Sequence, residues 1–181
     1  MLTLLFIFFG LGILGAIISG DKPTKANGKQ VAQQAQNQPA TSTPQPHIGT
    51  TVSDAGFNFV VNSIKCGETH LSTGGLVNYY SNAQGQYCRL NITVTNTGNT
   101  ANSITAYNQY VFNAQGQRYT YASDATATAA GYAVGTPLND DINPGNSVTG
   151  DIVYDVPVGV TPTVAEVHGD YNSLGVKVNL Q

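Results

Sequence analysis

The sequence predicts an all-β protein, an antiparallel β-sandwich preceded by one N-terminal membrane helix. Three observations predict this: an uncharged apolar run opens the chain, a polar segment nearly free of large apolar residues follows it, and from residue 48 onward apolar side chains recur at every second position between turn signals. We therefore divide the chain into a transmembrane anchor or signal segment at residues 1–20, a disordered linker at 21–47 and a β-sandwich domain at 48–181.

The opening run, MLTLLFIFFGLGILGAIIS, has no charged side chain. As a helix, about 19 residues span about 28 Å, close to the ~30 Å hydrocarbon thickness of a bilayer. No basic residue precedes the run, and Ile stands where signal-peptide cleavage needs a small residue. We therefore favour an uncleaved anchor over a cleaved signal, which would leave a secreted protein.

The sequence contains conflicting signals for the orientation of this anchor. Lys22, Lys25 and Lys29 follow the run, and the positive-inside rule would keep that side in the cytoplasm. The two cysteines and the scarcity of charge favour export instead. We expect an extracytoplasmic domain that is held to the cell membrane by the N-terminal helix.

Charge is scarce throughout the chain, since only 9% of its residues are Asp, Glu, Lys or Arg, against about 25% in typical soluble domains. From residue 48 onward there are four basic and nine acidic side chains, a net charge of −5. This composition excludes a nucleic-acid partner, because binding to phosphates requires a basic surface.

Alternating apolar residues predict the strands of the sandwich, and Asn, Gly and Pro clusters predict the turns between them. No stretch after residue 20 shows a helical period. The pentapeptide NAQGQ occurs at 82–86 and again at 113–117, and we interpret both copies as hairpin turns with Gly at positive φ. The predicted strands centre on residues 57–61, 90–94, 110–112, 148–156, 164–171 and 176–180.

The only two cysteines, Cys66 and Cys88, flank the ends of two predicted strands. If these strands are neighbours, a disulfide could join them and close a loop of about 22 residues, worth about 3 kcal/mol in the chain-entropy account. Two buried free thiols are the alternative. A metal site would need further ligands, and no CxxC or HxxxH spacing is present.

Several motifs follow one another in a recognisable order: GFNFVV at 56–61, NITVTNTG at 91–98, NAQGQRY at 113–119, NPG at 143–145 and GDIVYDVP at 150–157. The order resembles a bacterial immunoglobulin-like domain family of unknown function, whose members are often mislabelled as telomeric repeat-binding factors. The resemblance covers about residues 48–180. It implies a surface-exposed immunoglobulin-like β-sandwich without established catalytic residues or cofactor, with a secreted mycobacterial immunoprotective antigen as a structural relative.

Two groups of residues are candidates for binding. Asp140, Asp141 and Asn143 concentrate hard oxygen donors of the kind that Ca²⁺ prefers. Tyrosines cluster in the middle third of the chain, and Tyr79, Tyr80 and Tyr132 lie in predicted loops, where they suit a contact surface for a protein or a glycan.

The residue pattern does not predict an enzyme. No Gly-x-Ser-x-Gly turn is present, and Asp151 and Asp155 stand four residues apart on one strand, about 13 Å, too far for a retaining glycosidase pair. We interpret His47, His70 and His168 as solvent-facing side chains rather than zinc ligands. The sequence thus predicts a non-catalytic binding or adhesion module, with a small-ligand or Ca²⁺-binding module as the alternative.

Overall fold

Two four-stranded antiparallel sheets pack face to face in the described part of the chain. The computed structural model describes residues 44–74, 78–131 and 137–181, so the predicted anchor and all but the end of the predicted linker lie outside it. The strands are β1 (Thr51–Asp54), β2 (Phe57–Ser72), β3 (Tyr80–Asn96), β4 (Tyr110–Phe112), β5 (Arg118–Tyr119), β6 (Ser147–Val156), β7 (Val164–Val167) and β8 (Val176–Asn179), with one α-helix, α1 (Ser123–Ala129), and two 3-10 turns (Ala106–Asn108 and Pro137–Asn139) between them.

The strand order is β1-β2-β3-β6 in one sheet and β5-β4-β7-β8 in the other. Every pair of named strands is antiparallel, which confirms the predicted all-β, antiparallel architecture. The predicted alternation points its apolar residues into the core. Side chains at most 1% exposed include Phe57, Phe59, Val61, Leu90, Ile92, Val94, Val111, Ile152, Tyr154, Ala165 and Val178.

The hairpin of β2 and β3 is longer than the sequence predicted. The predicted strands ended near the cysteines, but the pairing continues past Cys66↔Cys88 to Ser72↔Tyr80. Cys66 and Cys88 are directly opposed, with a Cα–Cα distance of 4.0 Å, and form a disulfide. The described residues between the cysteines, up to Ser72 and from Tyr80, therefore extend the same hairpin.

The two NAQGQ copies adopt different structures. In the second copy Gly116 has φ +76° in the turn between β4 and β5, as predicted, and Asn113 Oδ1 accepts hydrogen bonds from two backbone N–H groups of that turn. For the first copy the prediction is wrong, because residues 82–86 lie inside β3. Gly85 is needed there for close approach, since a Cβ would meet the carbonyl oxygen of Val156.

Helix α1 is an element that the sequence analysis missed. It covers the outer face of the edge strand β6, where buried Val153 packs with Leu71, Tyr87 and Ala125 in a second small core. The Thr126 hydroxyl accepts a hydrogen bond from the N–H of Val153 at 2.9 Å. Small Ala and Thr side chains let the helix lie this close to the strand and protect its edge.

The first described residues join the second sheet. Pro46 and His47 run parallel to β8, and the Pro46 carbonyl accepts a hydrogen bond from the N–H of Asn179 at 2.6 Å. Across residues 44–74, 78–131 and 137–181, no helix has both the length and the apolar character that crossing a membrane requires.

Candidate functional site

A cleft opens at one end of the sandwich, between the 3-10 turn Ala106–Asn108 and the turn that joins β7 to β8. Its volume is about 330 Å³. Tyr107 on the first wall and Tyr171 on the second are 58% and 72% exposed. Because exposed aromatic rings rarely serve stability, two of them on facing walls of one cleft make it the best candidate site among the described residues.

Buried Gln109 joins the two walls of this cleft. Its side chain is 0% exposed. Its Nε2 donates to the carbonyl oxygens of Thr105, at 3.0 Å, and of His168, at 2.9 Å, while its Oε1 accepts from the N–H of His168 at 2.8 Å. The side chain thus continues the hydrogen-bond ladder of β4 and β7 beyond their ends, so the cleft is held in shape before any ligand binds.

The floor of the cleft is polar and internally bonded. Asn108 Nδ2 donates to the Asp170 carbonyl at 3.0 Å, which ties the first wall to the second. His168 is 7% exposed, so the prediction that it faces solvent is wrong. Gly175 has no side chain and packs directly on the imidazole, where a Cβ would approach ring atoms to 2.5 Å.

His168 also lies between a serine and a carboxylate, the arrangement that a serine nucleophile would use. Its Nε2 is 3.2 Å from Glu166 Oε1, and its Nδ1 is 3.3 Å from both the hydroxyl and the carbonyl oxygen of Ser173. A nucleophilic serine must pass its proton to the imidazole. Here the Ser173 hydroxyl donates to the Asp170 carbonyl at 2.9 Å instead. The group ties the β7–β8 turn together and gives no positive evidence of catalysis.

A second cavity has a volume of about 530 Å³. Tyr121 lines it, and the Tyr121 ring contacts the Tyr107 ring edge to face, with centroids 6.1 Å apart and planes at 88°. Asp155 also lines this cavity, but both of its carboxylate oxygens are occupied, since they accept from the N–H groups of Gln84, at 2.6 Å, and Gly85, at 3.0 Å. The pair of tyrosine rings therefore connects the lining of the cleft with the lining of the second cavity.

The tyrosines that the sequence singled out lie elsewhere. Tyr79 and Tyr80, at 44% and 68% exposure, occupy the far end of the β2–β3 hairpin. The Tyr80 hydroxyl accepts a hydrogen bond from Asn78 Nδ2 at 2.9 Å. Tyr132 lies outside the described residues. The role of these three residues in binding stays a prediction.

The sequence analysis includes Tyr107 only among the tyrosines of the middle third of the chain, and it does not single out Tyr107 or Tyr171. A signal for Tyr171 existed, because the turn-forming residues Gly169, Asp170, Asn172 and Ser173 surround it. The predicted strand at 164–171 includes Tyr171, whereas β7 ends at Val167. Tyr107 has no comparable local signal.

The predicted calcium ligands line a shallow depression of about 210 Å³. Asp140, Asp141 and Asn143 are all exposed there. The adjacent Asn139 is not free to join them, since its Oδ1 accepts from the N–H of Ala106 at 3.1 Å. Within the described ranges no three His, Cys, Asp or Glu residues come together as a metal site would require. The Ca²⁺ site stays a prediction.

The outer face of the first sheet carries a network of ion pairs. Asp151 accepts from Arg89, at 3.1 and 2.7 Å, and from Asn91 Nδ2 at 2.6 Å. Arg89 also lies 3.6 Å from Glu68. These carboxylates are engaged across neighbouring strands, where they stabilise the sheet.

Comparison with solved structures supports the fold. The chain is similar to the yjhA protein from Bacillus subtilis, with a TM-score of 0.51 and 17% identity, over 76% of this chain and 100% of that one. It is also similar to MPT63, a secreted protein from Mycobacterium tuberculosis, with a TM-score of 0.51 and 18% identity, over 77% of this chain and 99% of that one. At these identities the likeness establishes a shared fold. No protein with curated function matches the chain.

A family match extends over most of the sandwich. It covers residues 46–176, from the first described strand contacts to the start of β8. Together with the likeness to a secreted mycobacterial protein, it confirms the resemblance drawn from the sequence motifs. The chain therefore belongs to the family described as domain of unknown function DUF4352.

Proposed function

We propose that the chain is an extracytoplasmic β-sandwich, tethered to the membrane by its N-terminal segment, that binds an envelope polymer or protein and carries out no chemistry. One observation carries the binding role: Tyr107 and Tyr171 stand exposed on the facing walls of a cleft whose walls are joined by buried Gln109. Rigid aromatic side chains on a preformed cleft provide contact area at small entropic cost.

The compartment is supported by different observations. The Cys66–Cys88 disulfide suits an oxidising environment. The similar structure MPT63 is described as secreted. The tether rests on the uncharged run at residues 1–19, which is long enough for a bilayer. We also propose that the sandwich has the immunoglobulin-like topology that the family resemblance implies.

Counting thiols in the native host tests the compartment. Membrane and soluble fractions are denatured and titrated for free thiols with and without reductant. We expect thiols only after reduction, and only in the membrane fraction. Two free thiols without reductant would overturn the export proposal, because a disulfide does not persist in the reducing cytosol.

Co-sedimentation with cell-envelope fragments tests the binding role. The purified full chain is mixed with envelope fragments from the host, and with vesicles of the extracted lipids as the control for insertion of the N-terminal segment. Saturable binding to the fragments beyond that to the vesicles supports the proposal. Equal binding to both would leave only the tether and refute a binding module.

The calcium-binding alternative has a direct test. Thermal unfolding is measured with millimolar Ca²⁺ and with chelator. A ligand that binds the folded state raises its stability, so a midpoint that does not change would exclude a Ca²⁺ site at Asp140 and Asp141.

A further inference from the structure

The tyrosine cleft and the second cavity point to a ligand class, and this inference rests on the proposed binding function. We propose that an uncharged carbohydrate chain lies along the cleft, across the Tyr107–Tyr121 pair and into the second cavity. Tyr107 and Tyr171 would supply the stacking surfaces, and the polar side chains beside them would bond the sugar hydroxyls. The argument uses the charge, the hydrogen-bonding groups and the geometry of the two cavities.

Charge disfavours an anionic ligand. None of the described residues that line either cavity is a lysine or an arginine. Each cavity instead contains one aspartate, Asp170 in the cleft and Asp155 in the second cavity. The net charge of −5 from residue 48 onward would also repel a polyanion. Phosphate polymers and acidic peptides are therefore poor ligands for this surface.

Hydrogen-bonding groups favour hydroxyls over a cationic ligand. The Ser103 and Thr105 hydroxyls and Asn102 Nδ2 line the cleft without a bonded partner among the described residues. An ammonium group needs acceptors alone, since it has only protons to give. Hydroxyls and an amide N–H₂ offer donors as well as acceptors, and a sugar hydroxyl can use both.

The aromatic rings provide the second half of carbohydrate recognition. One face of a pyranose ring carries C–H groups, which pack on an aromatic ring, while its rim carries hydroxyls. Tyr107 and Tyr171 place exposed rings beside the polar groups of the cleft. The hydroxyls of both tyrosines have no bonded partner in the described part of the chain, so each ring also brings a polar end.

The geometry favours a chain of sugars over a single one. Tyr107 lines the cleft, Tyr121 lines the second cavity, and their rings are in contact. A single sugar has only one ring to pack on this aromatic pair. A chain can occupy both and pack on the ring pair between them. We therefore expect affinity to rise with chain length until both cavities are filled.

A length series of neutral oligosaccharides tests this. Calorimetry or NMR titration of the full chain in detergent uses chito-, cello- and malto-oligosaccharides of one to six units. We expect affinity to increase with length, and Tyr107→Ala to weaken binding of the longest ligand at least about tenfold, the equivalent of about 1.4 kcal/mol. Failure of every neutral series to bind at millimolar concentration would overturn the proposal.

Tyr79→Ala is the matched control, because it removes an exposed tyrosine that lines neither cavity. We expect it to bind as the parent does, and Tyr171→Ala to weaken binding as Tyr107→Ala does. Binding lost in Tyr79→Ala and kept in Tyr107→Ala would overturn the site. A lysine-rich peptide or heparin that binds in place of the neutral sugars would overturn the ligand class. Envelope co-sedimentation that persists in either case would leave the proposed binding function standing.

Discussion

Replacing Tyr154 by Phe tests whether the main core buries an unpaired hydroxyl. Tyr154 lies on β6 and is 0% exposed. Its hydroxyl has no hydrogen-bond partner among the described residues. A buried polar group without a partner lowers the free energy of unfolding by about 1–3 kcal/mol, because the same group is hydrated in the unfolded chain. Since Phe keeps the ring and removes only the hydroxyl, we expect the free energy of unfolding to rise by about 1–2 kcal/mol.

The measurement is urea unfolding followed by circular dichroism, because the chain has no tryptophan for fluorescence. Tyr87→Phe is the matched control. Tyr87 is also buried, but its hydroxyl lies 2.8 Å from the Ser81 hydroxyl, so its removal should cost about 1 kcal/mol. If Tyr154→Phe instead destabilises the protein as much as Tyr87→Phe does, the hydroxyl of Tyr154 is not unpaired and the reasoning fails.

The free energy of unfolding of the parent, compared with that of Tyr154→Phe, should depend on pH. Burial raises the pKa of the Tyr154 hydroxyl well above its usual value of 10.0, and the neighbouring Tyr110 hydroxyl adds to the shift. A raised pKa in the folded state means that the contribution of Tyr154 is complete below pH 10 and is lost as the pH rises further. Above pH 10 the parent should lose up to about 1.4 kcal/mol per pH unit more than Tyr154→Phe. Parallel stability curves between pH 9 and 11 would refute this.

Three further changes probe the hairpin, the cleft and the close approach of β3 to β6, each measured by urea unfolding. Cys66→Ser removes the disulfide between residues 22 positions apart and should lower the free energy of unfolding by about 3 kcal/mol. Equal unfolding midpoints for the oxidised parent and the variant would contradict the chain-entropy account. Gln109→Leu leaves two carbonyls and one N–H without their partner and should lower the free energy of unfolding by about 2–4 kcal/mol. The backbone amide of His168 should then exchange its hydrogen faster. A parent-like exchange rate would show that Gln109 does not hold the walls together. Gly85→Ala places a Cβ on the Val156 carbonyl oxygen and should cost about 1–3 kcal/mol, which an unchanged midpoint would disprove.

The core strands were predictable because burial on one face leaves a period of two in the sequence. Phe57, Phe59 and Val61 show it, and all three are buried as expected. The outer half of the β2–β3 hairpin was not predictable in this way. Glu68, Thr69 and His70 are all exposed and Leu71 alone is buried in this part of β2, so no alternation of apolar residues marks the strand, and only the partner strand reveals the pairing.

Helix α1 was unpredictable for a related reason. Its seven residues, SDATATA, lack both a side-chain cap and an apolar stripe. A helix this short is not stable by itself in water. It forms because Ala125 packs on Leu71 and Val153, and because Thr126 bonds the edge of β6. These partners are distant in sequence, so no local pattern marks the helix.

The candidate site depends on long-range contacts even more than the fold does. The two NAQGQ copies show the principle. The first copy is part of a strand, and the Asp155 carboxylate accepts hydrogen bonds from its backbone. The second copy is a turn, because the Asn113 side chain bonds the backbone of its own neighbours. Likewise, a loop tyrosine becomes a binding residue only when another wall stands opposite it. Gln109 and His168, 59 positions apart, bring the walls of the cleft together. Local loop propensity alone selects the hairpin end instead, where Tyr79 and Tyr80 line neither cavity.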